Sequence, residues 1–118
     1  MRSNNLKQLI QFNKRKTKAM NDSVSPIATR LAQVMQQIVN CARTCDRDPH
    51  EINLIAVSKT KPVVDILAAY AVGQRAFGEN YLQEAEAKIL ALSEYAIEWH
   101  YIGRIQSNKT ASIAKHFD

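Results

Sequence analysis

Lys59 is the residue of this sequence whose position best suits covalent chemistry. It follows a run of apolar residues, Leu54 to Val57, that indicates a buried strand. Burial at the end of such a strand would disfavour the charged ammonium form of the side chain. A neutral amine can attack an aldehyde to form an imine, as in Schiff-base aldolases and pyridoxal phosphate proteins. From spacing alone, two alternatives stay open: Lys59 is a solvated lysine at a helix start, or Lys61 is the reactive one.

Polar residues follow two further predicted strands. The segment Phe77–Tyr81 carries Asn80, whose amide could hydrogen-bond an aromatic ring substituent. Spacing alone favours the other reading, in which Asn80 caps the next helix. The segment Trp99–Gly103 carries His100, for which a hydrogen-bonded structural role is favoured. Because α/β barrels build their sites at the carboxyl ends of the strands, we expect one composite site that includes Lys59.

Two other groups of residues have a functional and a structural interpretation. Ser107, Asn108 and Lys109 precede a predicted helix, where free N–H groups could bind an anion or Ser107 could act as a cap. Cys41 and Cys45 lie four apart, on one face of a helix. We favour two buried, reduced thiols there, because no further ligands of a metal site are nearby. No metal site is predicted.

The elements that must position these residues alternate between helix and strand. Ser25 and Pro26 are typical of an N-cap and a first helical position, and apolar residues then recur at helical spacing. The continuous apolar run before Lys59 predicts a strand buried on both faces of a parallel sheet. The pattern predicts helices from residue 25 to about 43–46, 61 to 73, 81 to 92 and from 107, and strands at 52–57, 75–78 and 97–102. On the third helix, Leu82, Ala85 and Ile89 form the apolar side and Glu84, Glu86 and Lys88 the polar side.

The charge of this chain is unevenly distributed. Residues 1–21 contain six basic residues and no acidic one, which leaves 10 basic against 11 acidic residues after them. We therefore expect a basic, disordered leader over 1–21 and a folded part over 22–118, with Met20 as an alternative start. The folded part lacks the basic face of a nucleic-acid-binding domain. No run approaches the ~20 apolar residues of a membrane span, and the composition is consistent with a cytoplasmic protein.

Three blocks of this sequence resemble the pyridoxal phosphate homeostasis protein family: AVSKTKP at 56–62, FGENYLQE at 77–84 and EWHYIGRIQSNK at 98–109. The resemblance extends from Met20 to Asp118. It implies a (β/α)8 barrel of fold type III, similar to the barrel domain of bacterial alanine racemase, of which this chain has the N-terminal helix and three βα units. It also implies that Lys59 holds pyridoxal 5'-phosphate as a Schiff base, with Asn80 beside the cofactor. The implied function is non-catalytic binding of this cofactor in its intracellular homeostasis.

The sequence departs from the family at several points. Arg104 stands where the family usually has proline, and Asp46 where a glycine commonly ends the first helix. A full barrel takes about 250 residues, and its phosphate-binding loops often follow strands 7 and 8, which three βα units do not reach. The alternatives are a truncated, non-functional fragment, or a racemase-type enzyme for which no second acid/base is found. Self-association or a complementary second half-barrel would supply the missing strands.

Overall fold

A computed structural model describes residues 25–118 of the chain. The predicted leader, residues 1–21, lies outside the described residues. The contacts divide the chain into two compact units, which are described separately. Within the described residues, the first unit consists of residues 25–53 and 71–73, and the second of residues 54–70 and 74–118.

The first unit contains a long helix, α1 (Pro26–Thr44), that begins where the sequence predicts. The side chain of Ser25 accepts a hydrogen bond from the Ile27 N–H at 3.2 Å, so Ser25 is the N-cap. The prediction that Cys41 and Cys45 are buried is wrong: both are free and exposed. They share a helical spacing, but that spacing does not say which side of the helix faces water.

The end of α1 is a left-handed turn centred on Asp46, whose φ is 54°. The Asp46 N–H donates to the Arg43 carbonyl, and the Arg47 N–H donates to the Ala42 carbonyl at 2.8 Å. These two bonds define a Schellman motif, which favours glycine at the left-handed position. Asp46 therefore occupies a position for which glycine is the better residue. A short 3-10 turn, Pro49–Glu51, follows.

The second unit is a three-stranded parallel sheet with helices between the strands. Its order is β1-β2-β3, so the predicted succession of βα units is confirmed. The elements are β1 (Ala56–Val57), α2 (Val63–Ala71), β2 (Ala76–Glu79), α3 (Leu82–Ala91), β3 (Glu98–Tyr101), a 3-10 turn (Ser107–Lys109) and α4 (Thr110–His116). Strand β1 is shorter than the predicted 52–57.

The two faces of the sheet differ in burial. Ala56, Phe77 and Trp99 form one row across the strands, and the Phe77 and Trp99 side chains are buried with ring centroids 6.2 Å apart. The next row contains Val57, which is 54% exposed, beside Gly78. The prediction that β1 is buried on both faces is therefore wrong. A continuous apolar run indicates that either face of a strand could be buried. Among the described residues, other side chains cover only one face of β1.

Gly73 and Ser107 are the two remaining residues for which the sequence predicts a role at a helix end. Gly73 follows α2 with a φ of 107°, which confirms its predicted role at the helix end because glycine adopts positive φ without a steric cost. Ser107 does not cap the last helix. It begins the 3-10 turn, and α4 starts only at Thr110, whose hydroxyl donates to the Ser107 carbonyl at 3.1 Å.

Candidate functional site

The candidate site is the edge of the sheet at which the three strands end. Parallel pairing brings the carboxyl ends of all strands to the same edge. The Ser58 N–H donates to the Gly78 carbonyl at 2.9 Å, and the Ile102 N–H donates to the Glu79 carbonyl at 2.8 Å. The loops that follow the strands therefore begin side by side, as the sequence predicts for one composite site.

Lys59 lies in a tight turn immediately after β1. The Lys61 N–H donates to the Ser58 carbonyl at 3.1 Å and closes the turn. The Lys59 side chain is exposed, and within residues 25–118 no hydrogen bond or ion pair engages its amine. The burial expected from the apolar strand is therefore not found for Lys59 among the described residues. Lys61 is exposed as well, so exposure does not separate the two lysines.

Thr60 gives this turn an unusual backbone. Its φ is 64°, in the left-handed region that a β-branched residue rarely adopts. Positive φ at the third residue is the feature of a type II turn, where glycine is preferred. Two hydrogen bonds accompany the conformation: the Thr60 hydroxyl donates to the Lys59 carbonyl, and the Thr60 N–H donates to Glu84 Oε1 at 2.7 Å. The turn that presents Lys59 is thus connected to helix α3.

Asn80 is placed beside the third loop, and it does not cap α3. The N-cap of α3 is Tyr81, which makes no side-chain capping bond. Asn80 is half-buried and lies against Gly103, where an added Cβ would stand 2.5 Å from the Asn80 carbonyl oxygen and closer still to its Oδ1. Only glycine leaves room for this approach. The close packing of Asn80 on Gly103 was not evident from sequence.

A buried ion-pair network lies behind the Lys59 turn, and sequence reasoning missed it. Glu79 is completely buried, and Lys88 Nζ lies 3.0 Å from its Oε2 and 2.6 Å from Glu84 Oε1. The Ser58 hydroxyl donates to Glu79 Oε2. Lys88 Nζ also donates to the Ser58 carbonyl at 2.8 Å. The network joins β1, β2 and α3.

The assignment of Lys88 to the polar, outer side of α3 is wrong, since the residue is 6% exposed. The sequence carried a signal for each of its two partners, although neither signal shows that Lys88 is buried. Glu79 is two residues beyond Phe77, so strand alternation places both on the same, buried face. Glu84 and Lys88 are four apart on a helix, the spacing of a side-chain pair.

The carboxyl of Glu84 is bonded to both Lys88 and the Lys59 turn. The hydrogen bond from Lys88 lowers the pKa of its carboxyl below the usual 4.5, and the Thr60 N–H acts in the same direction against partial desolvation. Glu84 is therefore ionised at neutral pH and accepts from two donors. Its side chain is 31% exposed, so the bond lies at the rim of the network.

His100 lies in the same row as Val57 and Gly78, on the less covered face of the sheet. Its Nε2 is 3.2 Å from Glu98 Oε1, an ion pair when the imidazole is protonated, and its hydrogen-bonded structural role stays a prediction. In the following loop, the Tyr101 hydroxyl donates to the Arg104 carbonyl at 3.1 Å. The loop therefore has a tether at Arg104, the position at which the resemblance led us to expect proline.

Two kinds of feature are not found within residues 25–118. No group of three or more histidine, cysteine, aspartate or glutamate side chains in that range could hold a metal ion. No helix in that range is long and apolar enough to cross a membrane. The candidate site consists of the Lys59 amine, the Asn80 amide and the buried ion-pair network at the edge of the sheet.

The fold and the site together define a parallel α/β protein that presents a lysine amine at the carboxyl edge of its sheet. No family model matches the chain. It is, however, 51% identical over 102 residues to the pyridoxal phosphate homeostasis protein of Escherichia coli, and 50% identical over 94 residues to that of Pseudomonas aeruginosa. These matches cover 84% and 80% of this chain but 42% and 41% of the relatives.

A solved structure shows the same relationship. The structure of PipY from Synechococcus elongatus with PLP bound is 42% identical, with a TM-score of 0.57, and the match covers 71% of this chain and 39% of PipY. The chain belongs to the pyridoxal phosphate homeostasis protein family and spans about two fifths of the length of these relatives.

Proposed function

We propose that this chain binds pyridoxal 5'-phosphate covalently through Lys59, as a cytoplasmic cofactor-binding protein rather than an enzyme. One observation carries the proposal: in a chain about half identical to pyridoxal phosphate homeostasis proteins, the Lys59 amine is exposed at the shared edge of the strands and has no bonded partner among residues 25–118. Lys88 is unsuitable for this role, because its ammonium group is buried and bonded to Ser58, Glu79 and Glu84.

The residues around Lys59 fit the cofactor. The amine nitrogen adds to the aldehyde carbon and the carbonyl oxygen leaves as water, so an imine forms without an oxidant or reductant. Asn80 is the proposed neighbour of the cofactor ring, where its amide can donate or accept a hydrogen bond. Gly103 supports this assignment, since a side chain there would fill the space into which Asn80 packs.

The three βα units and the parallel sheet support a finer proposal about the fold, namely that residues 22–118 are part of a (β/α)8 barrel. On this proposal, the row with Val57 and Gly78 faces the barrel interior, and the strand edges pair with a second copy or with a complementary half-barrel. The exposure of Ile55 and Val57, at 38% and 54%, favours such a covering partner.

The test is an absorbance scan of the full chain with added pyridoxal phosphate, followed by borohydride reduction and peptide mapping. We expect an imine band near ~420 nm and a reduced adduct on Lys59. The substitution Lys59→Ala should abolish both, whereas Lys61→Ala and Lys115→Ala, at exposed positions, should not. Adducts spread evenly over surface lysines would contradict the proposal and favour a fragment without this function.

A further inference from the structure

The main chain on both sides of Lys59 is bound by the same pair of side chains from α3. Before Lys59, the Ser58 carbonyl accepts a hydrogen bond from Lys88 Nζ at 2.8 Å. After Lys59, the Thr60 N–H donates to Glu84 Oε1 at 2.7 Å. Glu84 and Lys88 are themselves paired at 2.6 Å. Residues 58–60 are therefore held at both ends by the two members of one ion pair, Lys88 at Ser58 and Glu84 at Thr60.

This arrangement has a physical consequence for Thr60. A left-handed residue other than glycine costs free energy, of the order of 1–3 kcal/mol, and persists only where its surroundings hold it. The Thr60 N–H points to a carboxylate, and hydrogen bonds to charged groups are stronger than those between neutral groups. Glu84 thus stabilises the backbone conformation that directs the Lys59 side chain.

The anchor of the pair is buried and does not depend on Lys59. Lys88 Nζ also lies 3.0 Å from Glu79 Oε2, and Glu79 is completely buried at the end of β2. An ammonium group has three donors, and here they serve the Ser58 carbonyl and the carboxylates of Glu79 and Glu84. The bonds to Ser58 and Glu79 therefore fix the position of Lys88. Lys88 in turn binds Glu84, and Glu84 accepts the hydrogen bond from the Thr60 N–H of the turn.

We propose that Glu84 and Lys88 are positioning residues for Lys59, acting through the main chain of Ser58 and Thr60. This inference rests on the proposed function of Lys59, since it assigns the two residues a role in directing that amine towards its aldehyde. Neither side chain needs to contact the cofactor. The pair holds the turn so that Lys59, rather than the neighbouring and equally exposed Lys61, meets the aldehyde.

The test uses Glu84, because its partly exposed side chain can be replaced without opening the buried pair of Glu79 and Lys88. Three variants of the full chain are compared with the parent: Glu84→Ala, Glu84→Gln and, as a matched control, Glu94→Gln at an exposed position on the loop after α3. The first readout is hydrogen exchange of the Thr60 amide. The second is the ratio of Lys59 to Lys61 adducts after treatment with pyridoxal phosphate and borohydride.

In Glu84→Ala we expect exchange of the Thr60 amide to accelerate about tenfold, the scale of a lost bond to a charged acceptor. The Ile102 amide, which is bonded to Glu79 O in the sheet, should be unchanged. The ratio of Lys59 to Lys61 adducts should fall by a similar factor. Glu84→Gln should lie in between, because its amide oxygen still accepts from Thr60 but carries no charge. Glu94→Gln should match the parent.

The outcomes separate this inference from the proposed function. If the parent forms the Lys59 adduct and Glu84→Ala leaves the ratio unchanged, the positioning role is overturned while the proposed function stands. A lower ratio without faster Thr60 exchange overturns it too, because the pair acts through the main chain. If the parent forms no Lys59 adduct, the proposed function fails. The positioning role then falls with it, because there is no Lys59 reaction for the pair to direct, whatever the exchange of the Thr60 amide.

Discussion

Replacing Lys88 by methionine tests the buried ion pair most directly. The substitution keeps an unbranched side chain of similar length, with sulfur in place of one methylene, and removes the ammonium group. Glu79, with no exposed side-chain surface, would keep the Ser58 hydroxyl as its hydrogen-bond donor among the described residues. Breaking a buried pair by removing one partner costs about 3–5 kcal/mol, since the remaining charge is left uncompensated. We expect a loss of this size in the free energy of unfolding.

The assay is urea denaturation followed by circular dichroism at pH 7. Lys115→Met, at an exposed position on α4, serves as the control and should change stability by less than about 0.5 kcal/mol. The double variant Glu79→Gln/Lys88→Met removes both charges and should recover part of the loss, which keeps the test informative if the single variant does not fold. A loss below about 1 kcal/mol for Lys88→Met would refute the reasoning, because that is the scale of an exposed pair.

Three further predictions follow from individual positions. The lowered pKa of Glu84 means that its contribution to stability is present above the usual value of 4.5 and is lost as the pH falls through the folded-state value. Between pH 6 and pH 3, the free energy of unfolding should therefore fall less in Glu84→Gln than in the parent, with Glu94→Gln at an exposed position as the control; equal slopes for parent and Glu84→Gln would contradict this. Asp46→Gly should raise the free energy of unfolding by about 0.5–1 kcal/mol, because Asp46 has a positive φ, and Asp46→Ala should lower it; denaturant midpoints measure both. Gly103→Ala should cost about 1–3 kcal/mol and weaken pyridoxal phosphate binding, because the new Cβ displaces Asn80; an unchanged midpoint and absorbance titration would show that the loop adapts.

Much of the fold was predictable because its signals are local. Ser25 and Pro26 define the start of α1, and Gly73 defines the end of α2, through the conformations that these residue types prefer. The alternation of strands and helices predicted a parallel sheet, and the described sheet is parallel. The extent of β1 was overestimated, because an apolar run does not show where hydrogen-bonded partners begin.

The candidate site was predictable only in outline. That Lys59 and Asn80 follow neighbouring strands could be read from the sequence, since parallel strands end at one edge. Their surroundings could not be predicted. The exposure of Lys59 depends on which faces of the sheet are covered, and the packing of Asn80 against Gly103 joins residues from two different loops.

The sequence by itself determined the order of the elements, the helix ends at Ser25 and Gly73, and the motifs that identify the family. Each of these depends on residues close together in the chain. Only the tertiary structure decided that Lys88 is buried with Glu79 and that Glu84 binds the turn at Thr60. A charged side chain on a helix is ordinarily solvated, and it becomes a buried partner only when the fold brings an opposite charge within reach. Long-range pairing of this kind is a property of the folded chain.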